Sequence, residues 1–205
     1  MSRANLFLVM MILITTAVYS QSQKPFSAGS WELSLSGSFG SLSYTTDYTS
    51  TYSSYSNSES NKYFEVYCSP AVYAADGFSI EPEVSVFLLQ RSEPSYSILL
   101  NASYTYRLEN KNIALFIRGG YGLTNSFQFP INGGFLSRIS NKFDVPILNV
   151  GAGVKFLLSN NFLLRTEINY RKLKFSVDNS GYGYSSKSES KYDFVSVLFG
   201  VAVIL

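Results

Sequence analysis

The residues of this chain that could do chemistry are acids and bases spaced two positions apart. Glu81 and Glu83 form one such pair, and Arg165 and Glu167 form another. A spacing of two places both side chains on the same face of a β-strand. Opposite charges on facing strands would form buried ion pairs, which serve either as a structural network or as an ion path. The residues assigned to this network are Glu32, Glu65, Glu81, Glu83, Glu167, Arg107, Arg118, Lys155, Arg165 and Arg171.

The composition gives catalysis little support. The 205 residues include no histidine and one cysteine, which removes the commonest general base and any zinc site built from several cysteines. A loop serine acting as nucleophile, such as Ser53 or Ser185, would lack its usual base. A net charge of +2 is far from the basic excess of a nucleic-acid binder. We therefore expect no enzyme activity, no cofactor, no metal site and no nucleic-acid partner.

The charges lie in eight segments that alternate between apolar and polar residues. In residues 31–39, for example, the odd positions are mainly apolar and the even positions are Glu or Ser, a period that is typical of strands. Short connections (74–77, 109–112, 159–161) separate longer ones, which we place at 45–61, 90–95, 125–144 and 176–191. An even number of up-and-down strands can close without leaving a free edge. The sequence predicts an all-β, eight-stranded antiparallel up-and-down transmembrane β-barrel.

The two faces of these strands indicate what surrounds the barrel. One face is largely aliphatic, and an Arg or Lys on a lipid-facing surface near the bilayer centre would cost about 2–4 kcal/mol. Aromatic residues collect near the strand ends of the aliphatic face, as at the two interfaces of a bilayer. The charges are therefore predicted to point inward, with a secreted lipocalin-like carrier of an apolar ligand as an alternative. The interface aromatics are Trp31, Phe78, Tyr106, Phe156 and Phe162 at the short-turn end, and Phe39, Phe64, Tyr121 and Tyr170 at the other.

The first twenty residues have the three-part pattern of a secretory signal. Arg3 is followed by an apolar run from Leu6 to Val18, which is shorter than the roughly 20 residues that a spanning helix needs. We predict a signal peptide at 1–20, cleaved after Ser20, and a barrel domain at 21–205.

Several segments in order along the mature chain resemble the small outer-membrane β-barrel family, of the OmpA transmembrane domain and OmpX type. They are residues 81–83, 101–107, 118–122, 149–155 and 164–171. The resemblance implies a location in the outer membrane of a Gram-negative bacterium, surrounded by its lipid. It also implies insertion by the barrel-assembly machinery. We expect a monomer.

The pairing of the inward charges bears on function. An eight-stranded barrel has little spare interior volume, so we expect an ion-pair network that plugs the lumen. The long loops are rich in Ser and Tyr, which suit adaptable surface contacts. The sequence therefore predicts a structural or adhesion-like, surface-interacting role, with a possible ligand bound by the long loops. A narrow or gated channel is the alternative.

Overall fold

A computed structural model describes residues 24–50, 53–89, 94–109, 112–125, 143–181 and 184–205. The predicted signal peptide, residues 1–20, lies outside these ranges. Within them, no helix is long and apolar enough to span a membrane. The strands are β1 Trp31–Ser50, β2 Ser54–Ala75, β3 Phe78–Leu89, β4 Ser95–Arg107, β5 Ile113–Asn125, β6 Phe143–Leu157, β7 Phe162–Gly181 and β8 Tyr184–Ile204.

The eight strands form one closed barrel in which each strand pairs with its sequence neighbours. All pairs are antiparallel, and β1 closes the barrel by pairing with β8. The predicted antiparallel up-and-down barrel is therefore confirmed. Following paired residues once around the wall from Lys62 in β2 leads back to β2 at Val72, ten residues further along. A stagger of this size tilts the strands by about 35–45° from the barrel axis.

The side chains alternate between the lumen and the outer surface, because successive residues of a strand point to opposite faces. In β4, Leu100 is 58% exposed while Asn101 beside it is buried. The same alternation runs along this strand from Ser95 to Tyr106. The outer surface is accordingly apolar, and the lumen is lined by serine, asparagine and charged residues.

Four adjacent strands are much longer than the others, which corrects two of the predicted loops. The segments 45–61 and 176–191 are mostly strand, because β1 pairs with β2 up to Thr49 and Ser54, and β7 pairs with β8 up to Gly181 and Tyr184. Serine, threonine and tyrosine pair well across strands, as at Ser41 and Ser60, whose hydroxyls lie 2.8 Å apart. We call residues 41–50, 54–62, 174–181 and 184–193 the protruding sheet.

Two prolines interrupt a single seam of the barrel. Pairing of Cys68 with Val84 and of Val72 with Ile80 places Pro70 opposite Pro82. Neither proline nitrogen can donate a hydrogen bond. Because the two prolines lie opposite each other, both missing hydrogen-bond donors belong to the pairing of β2 with β3. Each strand keeps its pairing on the other side, where Pro70 faces β1 and Pro82 faces β4.

Candidate functional site: a buried charge network

Nine of the ten predicted network residues lie in the lumen, where each is at most 4% exposed. The carboxylates come mainly from β1, β2 and β3, and the cations come from β5, β6 and β7. Most of the ion pairs therefore cross the lumen, and Arg165 also pairs with Glu167 along β7. These nine residues, which we call the charge network, are Glu32, Glu65, Glu81, Glu83, Glu167, Arg118, Lys155, Arg165 and Arg171.

We call the end of the barrel that carries the protruding sheet the upper end, and the short-turn end the lower end. The upper half of the charge network is built around Glu83. Its Oε2 accepts a 2.6 Å hydrogen bond from Arg118 Nη1, and its Oε1 accepts one from Arg171 Nη2. Arg171 also donates to Glu65 Oε1 at 2.7 Å. Arg118 Nε donates to Glu167 Oε1 at 2.6 Å. One carboxylate thus holds two guanidinium groups, and each of these has a second carboxylate.

The lower half continues through Arg165. This guanidinium lies 3.0 Å from Glu167 Oε2 and 3.4 Å from Glu81 Oε2. Its Nη1 is 3.9 Å from Glu32 Oε1, and Glu32 Oε2 accepts a 2.6 Å hydrogen bond from Lys155. The ion pairs therefore form one connected chain from Glu65 to Lys155.

Neutral side chains complete the network, and the sequence interpretation missed them. Tyr67 donates to Glu65 Oε2 at 2.6 Å, and Tyr73 donates to Glu32 Oε2 at 2.7 Å. Ser103 donates to Glu81 Oε1 at 2.6 Å. Their signal was present in the alternation, because each shares strand parity with the inward charges.

Arg107 does not join the network, which corrects that assignment. It has the inward parity of β4 but is the last residue of the strand, and it is exposed at the short-turn rim. Alternation identifies the face of a strand but not the height at which that face meets water. Among the described residues, five buried carboxylates therefore face four buried cations. Glu32 Oε1 accepts no hydrogen bond in the part of the chain that the structure describes.

Buried apolar side chains form a layer on each side of the charges. The upper apolar layer consists of Tyr63, Phe87, Leu99, Val145, Ile147, Leu173, Tyr192 and Phe194. The lower apolar layer consists of Phe26, Tyr73, Ala114, Leu157, Leu163, Ala202 and Ile204. The polar interior thus lies between two apolar layers. Neither layer was predicted, since an apolar residue at an inward position looks like a break in the pattern.

The nine predicted interface aromatics all point outward, with exposures from 38% to 64%. Trp31 and Phe39 are eight residues apart, as are Phe162 and Tyr170, which corresponds to a height of about 20 Å along tilted strands. This is close to the apolar band of an outer-membrane barrel, about 25 Å. The nine are Trp31, Phe39, Phe64, Phe78, Tyr106, Tyr121, Phe156, Phe162 and Tyr170.

Asp193 marks where the apolar band ends. It shares the outward parity of β8, and it accepts a 2.5 Å hydrogen bond from the Tyr170 hydroxyl at the upper aromatic band. Lys172 of β7 lies directly across from it. The first outward charges therefore appear immediately above the upper aromatics, at the base of the protruding sheet.

Comparisons with known proteins agree with this architecture. Residues 6–203 match the family described as "Outer membrane protein beta-barrel domain". A comparison with well-characterised protein sequences found no significant match.

Solved structures of small barrels share the fold at low sequence identity. The N-terminal β-barrel domain of Pseudomonas aeruginosa OprF has a TM-score of 0.53 and 12% identity, over 87% of this chain and 98% of that one. Neisserial surface protein A has a TM-score of 0.51 and 16% identity, over 85% and 98%. OprG of P. aeruginosa has a TM-score of 0.50 and 14% identity, over 87% and 97%.

Proposed function

Because this chain belongs to the outer membrane protein β-barrel family and lies in the outer membrane of a Gram-negative bacterium, we propose that it acts at the cell surface as a contact protein. The protruding sheet makes the contacts, and the filled barrel anchors it without conducting ions or solutes. The observation that carries this proposal is the unequal length of the strands. β1, β2, β7 and β8 have 20–22 residues, whereas β3 to β6 have 12–15.

The extra length supports a surface role because it lies above the upper aromatic band. β1 continues for eleven residues beyond Phe39, to Ser50. At about 3.3 Å per residue and a tilt near 40°, this segment rises about 25–30 Å from the interface. A membrane anchor alone would need no such extension.

The protruding sheet also has backbone groups that a partner could use. Pairing of β2 with β3 begins at Tyr63, and pairing of β7 with β6 ends at Leu173. Within the described residues, no strand is therefore paired with the β3 side of β2 over 54–62. An extended peptide can add to such an edge through main-chain hydrogen bonds.

The orientation of these backbone groups follows from the lower end of the same strand. The Tyr73 N–H and C=O bond Ser30 and Gly29, on the β1 side. Main-chain groups alternate sides along a strand, and the register between β1 and β2 is unbroken. The even residues of β2, including Ser56 and Ser58, therefore direct their N–H groups to the side of β2 that faces away from β1.

The filled lumen favours an anchor over a channel. Two apolar layers enclose the charge network. Opening a path through the network would separate buried ion pairs and leave their charges uncompensated. A narrow or gated channel remains the competing function, and it would require both layers to move. A secreted carrier of an apolar ligand is excluded, because the apolar face points outward and the family resides in the outer membrane.

Conductance and peptide binding test the two parts separately. Purified protein in planar bilayers is expected to show no steady conductance, and steady conductance would support the channel instead. For the contact surface, an array of extended peptides provides the probe. We expect binding that Ser58→Pro abolishes, because it removes an edge donor, and that Ser58→Ala retains. Absence of binding, or equal binding by both variants, would contradict contacts through this edge.

The domain boundaries remain a proposal as well. Cleavage after Ser20 gives a mature chain that begins at Gln21 and excludes the apolar run. The intact mass of protein purified from outer membranes tests this directly. A mass that includes residues 1–20 would contradict the signal peptide.

A further inference from the structure

The segment that precedes β1, residues 24–30, lies at the short-turn mouth of the barrel. The Gly77 N–H donates to Phe26 O at 2.8 Å, which ties the segment to the turn between β2 and β3. The Gly29 N–H donates to Tyr73 O at 2.8 Å, and the Ala28 N–H donates to Asp76 Oδ1 at 2.9 Å. These bonds hold the segment against the lower end of β2 and the turn that follows it.

Phe26 is the residue that enters the lumen. Its side chain is 4% exposed and packs 5.7 Å from the Tyr73 ring, between ring centres. Its backbone has a φ of 66°, the only positive φ of a non-glycine residue in the described ranges. This left-handed conformation is unfavourable for a residue with a large side chain. In this conformation the ring is buried.

The buried side chain of Phe26 faces the lowest charge of the network. Lys155 Nζ lies 5.2 Å from the centre of the Phe26 ring, 5.7 Å from that of Tyr73 and 5.3 Å from that of Phe116. Three aromatic rings thus surround the ammonium, whose ion-pair partner is Glu32 at 2.6 Å. Aromatic faces stabilise a desolvated ammonium. Of the three rings, only Phe26 comes from outside the strands of the barrel wall.

We propose that residues 24–30 form a stopper on the periplasmic side, and that Phe26 keeps water away from the Lys155–Glu32 pair. The stopper is the removable part of the lower apolar layer, since its other members belong to strands. Displacing it hydrates the lower lumen as far as the ion pair. It does not open a path through the barrel, because the upper apolar layer stays in place. This closure is independent of what the protruding sheet binds.

Thiol labelling tests the stopper. Cys68→Ser removes the native thiol, which faces outward, and Thr105→Cys then places a thiol at a buried inward position beside the stopper. The Thr105 N–H bonds Gly77 O, and the N–H of Gly77 bonds Phe26 O. We expect a water-soluble methanethiosulfonate reagent to label this variant slowly. Labelling of a buried thiol requires a local opening of the stopper. Adding Phe26→Ala should make this opening easier and accelerate labelling about ten-fold or more.

Control variants keep the result specific. Phe162→Ala removes an exposed aromatic at the same rim and should leave the labelling rate unchanged. Leu99→Cys, in the upper apolar layer, should stay slow with or without Phe26. Equal rates at Thr105→Cys for Phe26 and Phe26→Ala proteins, whether fast or slow, would overturn the stopper. So would an acceleration at Leu99→Cys, because the whole barrel would then have loosened.

A second variant covers the case in which Phe26→Ala does not fold, as judged by circular dichroism. Asp76→Asn weakens the anchor of Ala28 at an exposed position and should accelerate labelling in the same direction, by a smaller factor. An unchanged rate in this variant would also overturn the proposal. Conductance of the unmodified protein would instead refute the filled lumen, so the two proposals fail through different measurements.

Discussion

Replacing Glu83 by glutamine removes a carboxylate that two buried guanidinium groups share. Glu83 bonds Arg118 through one oxygen and Arg171 through the other. Glutamine keeps the shape but has one acceptor oxygen, so its amide N–H₂ group must face one of the cations. Breaking a buried ion pair by removing one partner costs about 3–5 kcal/mol. Because Arg118 keeps Glu167 and Arg171 keeps Glu65, we expect a loss of about 3 kcal/mol in the free energy of unfolding.

Glu32→Gln is the matched comparison within the same network. Glu32 Oε1 accepts no hydrogen bond from the described residues, and Oε2 accepts both Lys155 and Tyr73. A glutamine carbonyl oxygen can accept these two bonds, but Lys155 then has no carboxylate partner among the described residues. Because its ammonium is fully buried, the substitution leaves an uncompensated charge. We therefore expect a larger loss than for Glu83→Gln, about 5 kcal/mol.

Urea unfolding in lipid vesicles measures both losses. Trp31 is the single tryptophan and lies on the outer face at the lower rim, so its fluorescence reports insertion. The midpoint and slope give the free energy where unfolding is two-state. The expected difference of about 2 kcal/mol corresponds to about a 30-fold change in the folding equilibrium. Equal losses for the two variants would refute the reasoning, as would a Glu83→Gln protein as stable as the unmodified one.

Three further predictions concern packing, orientation and pH. Gly151→Ala would place a Cβ against Glu167 Oε1 and should lower the free energy of unfolding in urea by about 1–3 kcal/mol. Gly119→Ala, where the nearest atom is 3.8 Å away, should not lower it. Equal losses for the two variants would contradict this prediction. A thiol introduced at Val150 on the outer face should resist water-soluble reagents in intact envelopes, and rapid labelling would reverse the orientation. Salt bridges from lysines lower the pKa of Glu189 in the protruding sheet. The stabilisation that Glu189 gives is therefore present above its ordinary pKa and lost as pH falls through the lowered value. Amide hydrogen exchange in the protruding sheet should become faster below about pH 4 in the unmodified protein. The Glu189→Gln protein should not show this change.

Part of the charge network could be read from the sequence because a strand repeats every two residues. That period alone assigned Glu81, Glu83, Arg165 and Glu167 to one inward face. It could not assign partners, since the partner of Arg118 depends on which strands meet across the lumen and at what stagger. It also misplaced Arg107, whose parity is inward but whose height is at the rim.

The predicted loops show a second limit of local pattern. Residues 45–61 and 176–191 are rich in serine and tyrosine, and such composition suits either a solvated loop or a strand whose both faces meet water. Neighbouring strands decide between these states, because four strands that pair side by side stabilise one another beyond the membrane. The protruding sheet is therefore a property of the pairing of β7, β8, β1 and β2.

The sequence alone determined the eight strands, the closed all-β barrel and the opposite character of its two faces, since each follows from local alternation and turn composition. Tertiary structure decided which side chains meet in the lumen. Which carboxylate holds which cation, where the apolar layers lie and why Phe26 enters the mouth all depend on side chains far apart in sequence. Their proximity is fixed only when the strands close with a ten-residue stagger, a quantity that no single segment encodes.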